Sequence, residues 1–95
     1  MSFLTRFRKP KEDPEVARRR TLMRAGRLGE ATVLGTDADA DGKVMLSYCY
    51  EIAGADYETV QQMDEQQLLR KSEYLPGSRV QMRYDPHRPA NSFVV

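Results

Sequence analysis

Residues 43–52 alternate strictly, with Val44, Leu46, Tyr48, Tyr50 and Ile52 on one side and Met45, Ser47, Cys49 and Glu51 on the other. A period of two sends neighbouring side chains to opposite faces of an extended strand, whereas a helix would scatter these apolar residues around its axis. Shorter alternations recur at 30–35, 57–61, 78–84 and 92–95, so the chain past Gly29 reads as five strands. In the fourth, Val80, Met82 and Tyr84 point inward and Arg79, Gln81 and Arg83 outward. Ala53-Gly54-Ala55-Asp56 and Tyr74-Leu75-Pro76-Gly77 supply turns, and Asp85-Pro86-His87-Arg88-Pro89 is a stiff loop because each proline fixes φ and restricts its predecessor. Residues 64–71 are too polar and too rich in helix formers for a strand, and Asp64 is placed to cap a short helix there. The expected fold is mainly β: a small five-stranded barrel or rolled antiparallel sheet, OB-like first and SH3-like second. The short helix falls between strands 3 and 4.

The part before Gly29 follows different rules. Residues 1–12 read as a flexible basic leader, and residues 13–28 as an N-terminal helix running from Pro14 to about Leu28. Asp13 is its cap, Pro14 suits its first position, and Gly26 or Gly29 marks its end. Val16, Ala17, Leu22, Met23, Ala25 and Leu28 make only a patchy stripe, which predicts loose packing against the barrel-like domain at 29–95. Charge is lopsided too. Residues 1–28 carry nine basic and three acidic side chains, a net of +6; the rest carries six basic and eleven acidic, a net of −5.

A chain of 95 residues without Trp has room for one modest core with a stability margin of roughly 5 kcal/mol, so a homodimer would be a natural support. The single cysteine, Cys49, has no partner for an internal disulfide, which fits a reducing compartment. No signal-peptide pattern and no run of ~20 apolar residues is present, so a soluble, cytoplasmic protein is expected.

Two segments carry a family resemblance. One is Tyr48-Cys49-Tyr50-Glu51-Ile52-Ala53-Gly54-Ala55-Asp56-Tyr57; the other runs from Tyr74-Leu75-Pro76-Gly77 through Val80, Tyr84-Asp85-Pro86 and Pro89 to Ser92-Phe93-Val94. With Gly29-Glu30-Ala31-Thr32-Val33 ahead of them, residues 26–95 resemble the domain-of-unknown-function family 3592. The chain departs from that pattern in having Arg88 before the last proline, and in lacking the transmembrane helices that commonly accompany the family. The resemblance implies a compact β domain and assigns no catalytic or ligand residue.

Several clusters have chemical potential. Asp37-Ala38-Asp39-Ala40-Asp41-Gly42 matches the opening of a Ca²⁺ loop, with carboxylates at positions 1, 3 and 5 and glycine at 6. The twelfth position, which needs a bidentate Glu, is Tyr48, so an exposed acidic hairpin loop is the plainer reading and weak Ca²⁺ binding through Asp37, Asp39 and Asp41 the alternative. Arg18, Arg19, Arg20, Arg24 and Arg27 on one helix suit an anionic partner, either nucleic acid or an anionic membrane surface, which the tip Phe3, Leu4 and Phe7 would also touch. Single-strand binding also needs exposed aromatics in a basic groove, and the tyrosines here fall on predicted inward faces. His87 is the only histidine, and with Asp85 in a proline-framed turn it reads as structural; Cys49 sits mid-strand with no basic neighbour in sequence. No catalytic residue, cofactor or metal ligand set is therefore expected. The function expected is that of a non-enzymatic interaction module with a protein partner. An enzyme would require Asp85, His87 and another titratable group in one pocket.

Overall fold

The structure, a computed structural model, describes residues 13–95; the leader read at 1–12 lies outside the described residues. Helix α1 (Pro14–Ala25) starts as its sequence dictates, with the Asp13 carboxylate accepting the Glu15 N–H at 2.9 Å and Pro14 at the first helical position. It stops at Ala25, short of the expected end at 28. Gly26 turns extended (φ −76°, ψ 161°) while its N–H still donates to the Leu22 carbonyl at 2.8 Å. A Cβ at Gly26 would lie 2.4 Å from that carbonyl oxygen, so only glycine fits this exit. The helix yields because the next residues are claimed by a sheet: Arg27 pairs with Tyr84 and Leu28 with Arg83.

Strand β1 (Arg27–Ala38) is accordingly twice as long as the expected 30–35 segment. Its first half, Arg27 to Thr32, pairs with β4 (Arg79–Asp85), and its second half, Thr32 to Ala38, with β2 (Val44–Ile52). A bulge at Leu34, between Val33 and Gly35, lies where the second ladder takes over. Bulges bend a strand and increase its twist, as a sheet that must curl requires. Strand β3 (Ala55–Gln62) returns along β2, and β5 (Arg88–Val94) along β4, giving the all-antiparallel order β3-β2-β1-β4-β5. The sheet curls until β3 and β5 approach, forming a nearly closed barrel. Between β3 and β4 lie α2 (Glu65–Leu69) and a 3₁₀ turn (Lys71–Tyr74). The mainly β, five-stranded fold, with an N-terminal helix and a short helical segment between β3 and β4, is the one expected, in the OB-like arrangement.

Two further boundaries differ for physical reasons. The helix expected over 64–71 ends at Leu69 and tightens into the 3₁₀ turn, after a capping box in which Asp64 and Gln67 satisfy each other's backbone N–H groups. Strand β5 begins at Arg88, not 92, and accommodates Pro89 because it is an edge strand.

The barrel interior matches the alternation. Leu46, Tyr48 and Tyr50 from β2, Met82 and Tyr84 from β4, and Ala31 and Val33 from β1 are buried together, with Val44, Ile52 and Val80 half-buried against them. Tyr50 stacks on its cross-strand partner Tyr57, ring centroids 5.2 Å apart, and on Tyr48 at 5.9 Å. Three consecutive residues of β5, Ser92, Phe93 and Val94, are all buried, because the barrel takes Ser92 and Val94 on one side while α1 covers Phe93 on the other. No helix among the described residues is long and apolar enough to cross a membrane.

Candidate functional site

The outer surface of the barrel is divided. Helix α1 packs mainly over β4 and β5 and reaches β3 at the Gln62 carbonyl, while outward residues of β1 and β3, Leu34 and Val60 among them, stay exposed. The register builds that open face in rows. Thr32, Cys49 and Glu58 form one, Gly35, Ser47 and Val60 the next, and Asp37, Met45 and Gln62 the third. Leu34 is exposed at the bulge beside the middle row, at 42%, and Val60 in the row itself at 54%. Met45 and Cys49 are half-buried on the same side. Leu34 and Val60 thus place exposed apolar side chains on either side of Ser47 across the middle of a three-stranded face, with carboxylates from Asp37 and Glu58 in the flanking rows. An apolar centre with a polar rim is the composition of protein-binding surfaces. Alternation alone missed this face because it assigns direction without saying which outward side stays uncovered.

The five arginines separate. Arg18 clasps Glu15 with two parallel hydrogen bonds of 2.8 Å, and its remaining nitrogen donates to Asn91 Oδ1 at 2.9 Å and to the Ser92 carbonyl at 2.6 Å. Arg19 donates to the same Glu15 carboxylate at 2.7 Å and to the Gln62 carbonyl at 2.7 Å, lies 3.4 Å from Asp64, and covers the Phe93 ring. The Arg18 guanidinium, helped by Arg19 against the opposing effect of burial, holds the Glu15 carboxyl at about 2. These two arginines are thus occupied with their own fold. Arg20 and Arg24 lie exposed on α1, and Arg27 opens β1 instead of extending the helix.

The acidic run does not form a shared site. Asp37 sits in β1 opposite Met45, and Asp39 turns its carboxylate onto the backbone N–H groups of Asp41 and Lys43, both at 2.9 Å. Tyr48, at the twelfth position, points into the barrel and shares a 2.8 Å hydrogen bond with Ser92. Among the described residues no group of three or more His, Cys, Asp or Glu side chains is placed to hold a metal ion. Asp85 accepts the His87 N–H at 2.8 Å, shaping the β4–β5 turn, and both line a hollow of about 260 Å³ beside Leu22 and Asn91. Cys49 borders a different hollow of about 430 Å³ with Tyr57, Glu30 and Arg79. Asp85, His87 and Cys49 are not brought together.

The residues that sequence reasoning passed over are two glutamines. Gln61, in β3, accepts the Val94 N–H at 2.8 Å and donates to the Val94 carbonyl at 3.0 Å; Gln67 donates to the same carbonyl at 2.7 Å. A side-chain amide presents the same donor and acceptor as a peptide group, so Gln61 stands in for a missing strand residue where β3 meets β5. Both glutamines lie in polar stretches that carry no signal for burial. Tyr50 donates to the Pro89 carbonyl at 2.5 Å and Tyr74 to that of Val95 at 3.1 Å. Burial pushes the Tyr48 hydroxyl up to about 12 and raises those of Tyr50 and Tyr74.

Comparison with family models, with curated proteins and with solved structures found no match to this chain. The likeness seen in residues 26–95 rests on its motifs alone.

Proposed function

We propose that this chain is a non-enzymatic protein-interaction module that receives its partner on the open face of β1, β2 and β3. The observation that carries the reading is the exposure of Leu34 and Val60 on the half of the barrel that α1 leaves bare. In an OB-like barrel this face is the one used for extended ligands, and a nucleic-acid ligand would call for basic and aromatic side chains on it. Here it offers Met45, Val60, Cys49, Asp37 and Glu58, which suit a protein partner with an apolar anchor and basic flanks. The reading of an anionic partner has lost Arg18 and Arg19 to internal contacts. The proposed setting is the cytoplasm, supported by the unpaired thiol of Cys49.

The test immobilises the full chain and its Val60→Lys variant and compares the proteins each retains by quantitative mass spectrometry. A partner that the parent retains and the variant loses about tenfold or more, reproduced with that partner purified, supports the module. Identical retention by both chains, or tight salt-sensitive binding of single-stranded DNA, overturns it.

A further inference from the structure

Strands β3 and β5 are the two edges of the sheet, and no backbone ladder joins them among the described residues. Gln61 bridges them from inside through Val94. From outside they are bridged by α1: Arg19 holds the Gln62 carbonyl at the end of β3, and Arg18 holds the Ser92 carbonyl of β5. One carboxylate, Glu15, receives both guanidinium groups and fixes their spacing.

The attachment of α1 differs in kind from the cohesion of the barrel. Leu22 is the only buried side chain that the helix contributes, while Val16 and Met23 remain about half exposed. Apart from Leu22 and the cover that Arg19 gives the Phe93 ring, the attachment is ionic and hydrogen-bonded, with Glu15 itself 44% exposed, where water and salt weaken charge pairs. The barrel is instead held by stacked tyrosines and aliphatic side chains sealed from solvent. Elements with little buried apolar area open at lower free energy than the core beside them.

We infer that α1 is a detachable latch across the β3–β5 seam, opening as a unit while the barrel stays folded and uncovering Phe93 and the edge of β5. The device meets the face carried by β1, β2 and β3 only at the Gln62 carbonyl, and it stands whether or not a partner binds that face. Phe93 is 5% exposed with the latch closed, so release converts a buried aromatic on an edge strand into accessible surface. It also removes the outer clamp on both edge strands, leaving Gln61 to hold the seam.

Native-state hydrogen exchange on the full chain, read amide by amide, tests this. In the parent protein the α1 amides should exchange about tenfold or more faster than those of the β1–β2 ladder. In Glu15→Gln, the α1 amides should exchange about tenfold faster still, with the β1–β2 amides and the Gln61-bonded Val94 amide unchanged. Should Glu15→Gln not fold, raising salt from about 0.05 to about 1 M on the parent protein reads the same coupling, because only the ionic clamp is screened. Exchange of α1 in step with the β1–β2 ladder overturns the latch. So does α1 exchange that ignores both the substitution and the salt.

Discussion

At the scale of single residues, two positions show how local chemistry settles the fold. Gln61 presents both amide groups to the backbone N–H and carbonyl of one residue, Val94, in a buried site. Gln61→Ala leaves the Val94 N–H without a partner, while Gln67 still serves the carbonyl. The expected loss is about 1–3 kcal/mol in a urea titration; a midpoint within error of the parent would show that water enters the seam. Ala53 has the opposite character. It and Gly54 form a two-residue hairpin between Ile52 and Ala55, with φ of 53° and 83°. Positive φ at both central positions suits Asn-Gly, and Ala is strained there by its Cβ. Ala53→Asn is therefore expected to raise stability by about 0.5–1 kcal/mol in the same titration.

Among the elements, α1 teaches most. Its docking face is Glu15, Arg18, Arg19 and Leu22, spaced i, i+3, i+4 and i+7 as an amphipathic helix requires. Three of the four are charged, so a search for an apolar stripe finds Val16 and Met23 instead, and these face solvent. The expectation of loose packing came from that patchy stripe, which held Leu22, while the other three docking residues were hidden by their charge. Strand β2 was readable throughout because its five inward residues, Val44, Leu46, Tyr48, Tyr50 and Ile52, fall on every second position without a break. The outer ends of β1 were not, because Arg27, Leu28, Asp37 and Ala38 are extended only through ladders to β4 and β2. The Glu15 clamp also fixes an acid response. Its carboxyl falls from 4.5 to about 2 on folding, so the stabilisation is whole above about pH 4.5 and disappears as pH drops toward 2. Circular dichroism of the parent and of Glu15→Gln should show a gap in stability that is constant above that window and closes within it; a gap that persists to pH 2 contradicts the clamp.

For the molecule as a whole, the division of its surface matters more than any hollow in it. One flank is sealed by α1 and the other is open, so substitutions on the open flank should separate binding from folding. Leu34→Lys paired with Val60→Lys is expected to change stability by no more than about 1 kcal/mol and to abolish partner retention; a collapse in thermal stability would instead make these residues structural. The split strand β1 has a consequence for how the chain is born. Its second half meets β2 within a few residues, whereas its first half waits for β4, some fifty positions further along. As a ribosome delivers the polypeptide, the meander β1-β2-β3 can therefore assemble early with a bare margin at residues 27–32, and that margin is where a nascent chain is exposed to mispairing until β4 emerges.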